Sequence, residues 1–343
     1  MQATKANELY AGADLHGNNV FLSICDPDGG NVFRRRVKTN LAAVNAALDP
    51  FWDRIKVLGV ESTFNWYWFV DGLREQGRNV KLGNPAKMAQ YEGIKFTNDL
   101  TDADWLAEQL RTGIFPECYI YPKETRSVRD ALRRRQLFVR RRTQALLSFG
   151  SLLERYGQQT PGAAKLEKWT RADVEATGLD EWVQLQLETL LDAVHESDRL
   201  AKKIEKQVLA FVKPTEQYLR VLLIPGIGMV LGMLIVLESG DFKRFPSAGD
   251  YASYCRAVKS ARLSNDKKKG SNNSKNGNKY LAWAFIEAAT FAARYNPRIQ
   301  SWYEKKKRKS GVPKAKKALA CKLAKATWHV MNGQNFDEKM MFG

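Results

Sequence analysis

Four carboxylates occur in an order that could do phosphodiester chemistry: Asp14, Glu61, Asp99 and Asp102. Asp14 ends the run LYAGAD and Glu61 ends the apolar run IKVLGVE. Asp99 and Asp102 open the stretch DLTDADWLAEQL, where Asp104 makes a third aspartate within six positions. Oxygen-only side chains brought together suit a hard divalent cation such as Mg2+. Two such ions about 3.5–4 Å apart can activate an attacking oxygen and stabilise a leaving one. Taken singly each acid is ordinary, since Asp and Glu commonly end strands and cap helices. The ordered set of four is what argues for a metal site.

For that set to meet, the elements carrying it must converge at one edge of a sheet. LYAGAD and NVFLSIC read as short strands, DPDGGN as a turn and VFRRRV as a third strand, which makes an antiparallel meander. A helix from an Asn40 cap follows, then the buried strand ending at Glu61, a helix through WYWFVDGLREQG and the strand NVKLG. The expected domain is α/β, a mixed sheet with helices on its faces. In the helix of the aspartates, Leu100, Ala103, Leu106, Ala107 and Leu110 form one apolar stripe, with Asp99 inside it and Asp102 on its edge. A carboxylate on the packed side of a helix is costly unless a cation compensates it. Asp104 points elsewhere and could serve the helix N-terminus with Thr101 as cap, so it is expected to tolerate substitution better than the other two.

The 343 residues, 44% hydrophobic, are enough for two or three modest cores. No apolar run reaches membrane-spanning length, and the opening MQATKANELYAG lacks the pattern of a signal peptide, so a cytoplasmic, nucleoid-associated protein is expected. Cys25, Cys118, Cys255 and Cys321 are scattered and read as ordinary buried thiols. The net charge of +18 is concentrated: residues 256–325 hold 20 Lys and Arg against three acids, while the rest holds 35 basic against 34 acidic residues. A surface of that kind, rather than the mixed signs of a merely solvated one, points to a polyanion such as nucleic acid.

Residues 123–156 read as one long helix carrying Arg126, Arg129, Arg133, Arg134, Arg135, Arg140, Arg141 and Arg142, with Leu132, Val139, Leu146 and Leu153 at heptad spacing. TPGAA breaks it, and a second helix runs to Pro214. The two suit an antiparallel arm, within a protomer or between protomers. Its arginines serve nucleic acid or a solvated coiled-coil face equally well. The organisation expected is a catalytic domain over 1–120, a helical arm over 121–214 and a mainly α domain over 215–343. In the last, Pro225-Gly226-Ile227-Gly228 between two apolar helices fits a helix-hairpin-helix, whose glycine turn offers backbone N–H groups to phosphate. A plain connection between core helices fits it as well.

With AGADLHG, GVEST, FTNDLTDADWLAE, LLIPGIG, SAGDYASYCRAV and SNDKKKGSNNSKNGNKYLAWAF on the page, nearly the whole chain resembles the DEDD transposases of bridge- or seeker-RNA-guided insertion sequences. The resemblance implies a RuvC-like domain of the RNase H fold. Its metal-binding acids fall on Asp14, Glu61, Asp99 and Asp102, with two Mg2+ ions, and Asp104 is not among them. It also implies a serine nucleophile at Ser264, with Ser260, Ser271 and Ser274 nearby; SND here stands where other members often have Ser-Gly. Serine is a weak nucleophile unless activated, and no histidine base is evident, His16 reading as a structural neighbour of Asp14. Because Ser264 lies in another domain, the resemblance implies a composite site joining one protomer's acids to another's serine. Arg262, Lys267, Lys268, Lys269, Lys275 and Lys279, with Gly226 and Gly228, would hold nucleic acid. Double-stranded DNA, a guide RNA and a homodimer or homotetramer are the implied partners.

Three functions stay open on the residues themselves: an RNA-guided recombinase that cuts and rejoins DNA, a metal-dependent structure-specific endonuclease using water at the same acids, and a non-catalytic nucleic-acid-binding protein.

Overall fold

The computed structural model describes residues 8–88, 99–258, 262–264, 267–270 and 276–342, with the backbone alone for 99–101, 262–264 and 267–270. The chain divides into two compact units, Met1–Lys123 and Glu124–Gly343.

In the first unit, β1 (Leu9–Leu15), β2 (Asn19–Cys25) and β3 (Asn31–Lys38) form the antiparallel meander. Then come α1 (Leu41–Leu48), β4 (Ile55–Glu61), α2 (Tyr67–Glu75), β5 (Val80–Gly83), α3 (Pro85–Met88) and α4 (Asp99–Arg111). Sheet order is β3-β2-β1-β4-β5, with β4 and β5 parallel to β1. This mixed sheet is consistent with the RNase H-like expectation. Asn40 caps α1 as its sequence predicts, its side-chain oxygen accepting the Ala43 N–H at 2.8 Å.

Alternation along the strands sorts side chains onto two faces. Leu9, Ala11, Ala13, Val20, Leu22, Ile24, Leu58 and Val60 join the core with Val44, Leu48, Phe69 and Leu73 of α1 and α2. The opposite face carries Gly12, Asp14, Ser23, Arg34, Gly59 and Glu61, and α4 packs there, its Leu106 and Leu110 meeting Val57 and Phe115. The outer strand β3 is mostly exposed and carries Arg34, Arg35 and Arg36, charges that discourage edge-to-edge pairing.

The second unit begins with α5 (Lys123–Arg155), α6 (Ala163–Leu166), α7 (Arg171–Glu175) and α8 (Glu181–Val212). Phe149, Leu153 and Leu146 of α5 pack with Leu187, Leu191 and Val194 of α8. Arg135 pairs with Glu205 and Arg142 with Asp198. A seven-residue advance along one helix thus meets a seven-residue retreat along the other, the register of an antiparallel pair within one chain. At the base of this arm Leu132, Val208 and Val212 enter the C-terminal core, so packing is continuous across residue 214.

That core is built from α9 (Glu216–Val221), α10 (Met229–Ser239), α11 (Ala248–Tyr254), α12 (Lys279–Tyr295), α13 (Pro297–Ser310), α14 (Val312–Met331) and α15 (Glu338–Phe342). Between α11 and α12 lie two short strands, β6 (Arg262–Ser264) and β7 (Lys267–Gly270). The four cysteines are free, Cys25 and Cys255 buried and the others half-buried. No helix among the described residues is long and apolar enough to cross a membrane.

Candidate active site

Asp14, Glu61 and Asp102 are brought toward one another by a close crossing of α4 over β1 and β4. Gly12 and Gly59 face one another in the parallel register. A β-carbon on Gly12 would come within 2.0 Å of the Ala103 carbonyl oxygen and 2.7 Å of the Ala107 nitrogen; one on Gly59 would meet Leu110 and Phe115 at 2.8 Å. Two residues further along each strand, on the same face, stand Asp14 and Glu61, each one position past the paired Ala13 and Val60. The signal for this crossing is present in the sequence as Gly-x-Asp and Gly-x-Glu, a pattern not among the expectations above.

On its other flank α4 is locked by Asp104. Its carboxylate accepts the Ser23 hydroxyl at 2.5 Å, Arg34 Nε at 2.9 Å and Arg34 Nη2 at 2.6 Å. Ser23 and Arg34 are paired neighbours across the sheet, and Ser23 in turn faces Gly12. Asp104 therefore anchors the helix to the sheet instead of capping it. The helix already begins at Asp99, which leaves Thr101 inside its first turn.

This crossing brings the first turn of α4 to the C-terminal ends of β1 and β4. Burial, then the carboxylates of Asp14 and Asp102, hold the Glu61 carboxyl above its ordinary value of 4.5. Asp14 is almost wholly buried and Asp102 exposed. The Nε2 of His16 lies 2.8 Å from Asp14 Oδ2, and the His16 ring packs edge-on to Phe21. Asp99 is the first residue of the helix, and its side chain lies outside what is described. Among the described residues no three His, Cys, Asp or Glu side chains are gathered closely enough to hold a metal ion as they stand. The donor chemistry nevertheless fits a hard cation: oxygen ligands alone, mutually repelling, at the positive end of a helix.

Ser264 is the last residue of β6 and faces Lys267, the first of β7, in an antiparallel register; Leu263 faces Lys268 and Arg262 faces Gly270. The segment expected as a loop thus contains a small hairpin. Its lysines gave no strand signal, because Lys is depleted in strands. Lys269 lies within β7, whereas Ser260, Ser271, Ser274 and Lys275 lie outside the described residues. Lys279 opens α12, its ammonium 5.3 Å from the Tyr280 ring centre.

The two glycines of the turn before α10 differ. Gly226 has φ +84°, and a β-carbon there would come within 2.2 Å of the Ala288 carbonyl oxygen and 2.7 Å of the Ala292 nitrogen. Its lack of a side chain serves packing against α12. A β-carbon on Gly228 would meet nothing, and the residue precedes the first turn of α10 without a side-chain cap. In the arm, Arg126 and Arg129 are buried, Arg135 and Arg142 pair with acids of α8, and Arg133 pairs with Glu238 of α10. Arg134, Arg140 and Arg141 are exposed.

Compared with known families, residues 11–158 match the DEDD transposase model of the IS110 type, and residues 219–304 match the model described as Transposase IS116/IS110/IS902 family. The chain carries both domains of an IS110-family transposase. The first match contains Asp14, Glu61, Asp99 and Asp102; the second contains the glycine turn, Ser264 and its lysines, and α12. Similarity to curated relatives in this family is low in identity and long in extent. The transposase for insertion sequence element IS1328 of Yersinia enterocolitica is 23% identical over 94% of this chain and 97% of its own length. The transposase for insertion sequence element IS1111A of Coxiella burnetii is 25% identical over 79% of this chain and 75% of its own length. A probable family 20 transposase of Pseudomonas aeruginosa is 25% identical over 69% of this chain and 71% of its own length.

Proposed function

We propose that this IS110-family chain is an RNA-guided recombinase that cuts, exchanges and rejoins DNA at an insertion-sequence end and its target. The observation that carries the catalytic part is the raised Glu61 carboxyl beside Asp14 and Asp102 at one end of the parallel strands. Bound cations would relieve the repulsion among these carboxylates. Two Mg2+ ions held by Asp14, Glu61, Asp99 and Asp102 would stabilise charge on the attacking and leaving oxygens.

Ser264 is the nucleophile in this reading. Its Oγ forms a bond to phosphorus as one backbone P–O bond breaks; the hydroxyl proton is given up and the displaced sugar oxygen takes up a proton. The phosphoserine link keeps the phosphodiester energy for rejoining. Arg262, Lys267, Lys268, Lys269, Lys275 and Lys279 hold backbone phosphates around the scissile group, and the α10 N-terminus at Gly228 offers N–H groups to another phosphate. Base pairing with a guide carries target choice, so the chain has no need of a base-reading module. Synapsis of two DNA segments requires a dimer or tetramer.

Incubation with element-end DNA and Mg2+ should yield a covalent protein–DNA adduct that Ser264→Ala abolishes. Free nicked ends without an adduct, unchanged in Ser264→Ala, would instead make the protein a water-using endonuclease. Purification without added nucleic acid and sequencing of the bound RNA tests the guide: a discrete short species supports it, and bulk cellular RNA overturns it.

A further inference from the structure

The stretch of chain that contains Ser264, between Arg256 and Gly277, is closed at its two ends. The end of α11 with the turn after it, Tyr254–Arg256, and the segment before α12, Gly277–Asn278, lie side by side. The Asn278 N–H donates to the Tyr254 carbonyl at 2.6 Å. Arg256 Nε and Nη2 donate to the Gly277 carbonyl at 3.1 and 2.9 Å. Arg256 holds φ +54°, a left-handed conformation rare outside glycine, and a β-carbon on Gly277 would come within 2.5 Å of the Tyr254 carbonyl oxygen. Backbone strain at one end of the stretch and lack of space at the other are tolerated only where surrounding contacts enforce them.

The enforcing contacts run through Glu238, a fully buried carboxylate of α10. Its Oε1 accepts Arg133 Nε at 2.5 Å, and its Oε2 accepts Arg133 Nη2 and Asn278 Nδ2, each at 2.7 Å. The Asn278 amide is used at both ends: Oδ1 accepts the N–H groups of Tyr280 and Leu281, capping α12, while Nδ2 goes to Glu238. Arg133 also covers the Tyr280 ring, 4.5 Å from its centre. A buried ion pair adds little stability over well-packed apolar residues, but removing one partner strands the other, so these hydrogen bonds hold the segments together as a set.

We infer that Arg133, Glu238 and Asn278 form a positioning relay that ties the base of the arm to the closed ends of the stretch containing Ser264 and aims Ser264 for strand cleavage. The inference rests on Ser264 being the nucleophile. Asp at position 278 keeps the α12 cap but turns the donor facing Glu238 into a second carboxylate. Glu238→Gln together with Asn278→Asp re-forms the bond between these two side chains with donor and acceptor exchanged, but turns the Gln NH2 toward Arg133 Nη2, which loses its acceptor.

The test compares adduct formation and DNA affinity for the parent, Asn278→Asp, the double variant Glu238→Gln/Asn278→Asp, and Asn278→Ser, which keeps a capping oxygen but lacks the amide NH2 that reaches Glu238. Misplacement of a reacting group costs rate more than binding, so Asn278→Asp and Asn278→Ser should slow cleavage about 10-fold or more, with DNA affinity within about 2-fold of the parent. The double variant should recover part of the loss, since it re-forms the bond to position 278 but not the one from Arg133 Nη2. Should Asn278→Asp fail to fold, Asn278→Ser carries the comparison. Unchanged cleavage in the single variants overturns the relay. An adduct that persists in Ser264→Ala overturns the nucleophile instead, and the relay is then judged on the cleavage rates of the single variants.

Discussion

The α-carbon of Gly12 lies directly beneath the Ala103 carbonyl, so that a β-carbon would stand 2.0 Å from the oxygen. This contact is backbone against helix backbone, and neither side can yield by changing a rotamer. It sets the height of α4 over β1, and with it the approach of Asp102 to Asp14 and Glu61.

Gly12→Ala should therefore be severe, destabilising the first unit by about 2–3 kcal/mol and abolishing cleavage, because α4 must lift. Gly59→Ala meets side-chain atoms of Leu110 and Phe115, which can shift, and should cost about 1 kcal/mol with partial activity. Denaturant unfolding and cleavage assays on the two variants check the order; equal effects would refute the distinction.

Asp104→Ala should not be silent. It strands the buried Ser23 hydroxyl and the Arg34 guanidinium, and loss of such charge-assisted bonds costs about 1.5–3 kcal/mol when well shielded; with Arg34 half-exposed the lower end is expected. Asp102→Ala should do the reverse, ending cleavage with no loss of stability. Melting curves beside activity separate an anchor from a ligand.

Glu61→Gln should stabilise the metal-free protein while inactivating it. The Glu61 carboxyl is raised above 4.5, so the folded chain binds its proton more tightly than the unfolded chain. The associated stability is present below the ordinary carboxylate range and lost as pH rises through the raised value. Near pH 7 and with chelator, Glu61→Gln should exceed the parent in stability, a gap that closes as pH falls toward the ordinary carboxylate value of 4.5. Added Mg2+ should raise the melting temperature of the parent and not of the variant.

In the arm, Arg140→Ala and Arg141→Ala should weaken nucleic-acid binding and lower the salt slope by about 1 each, the signature of a lost phosphate contact. Arg135→Ala and Arg142→Ala break pairs with Glu205 and Asp198 and should act on stability. A titration of affinity against salt concentration distinguishes the two sets.

Much of this protein was determined by sequence alone, for local reasons. Period-2 and period-3.6 patterns placed the five strands of the first sheet, α4 and the two long arm helices, and Asn40 announced its own cap. The order of Asp14, Glu61, Asp99 and Asp102 was visible because each acid lies at or near the end of such an element. The direction of the sheet, the choice of a pairing within one chain for the arm, and the roles of particular side chains were decided by tertiary structure. Asp104 reads as a spare helix-end acid until Ser23 and Arg34, some 70 to 81 residues away in sequence, are brought beneath it. Gly226 reads as a phosphate-turn glycine until α12 packs onto it. Glu238 sits in an apolar run with nothing local to mark it, and only folding brings Arg133 and Asn278 to its two oxygens. Periodicity reports which face of an element is buried; the partner that compensates a buried charge comes from distant sequence and is chosen only when the elements pack.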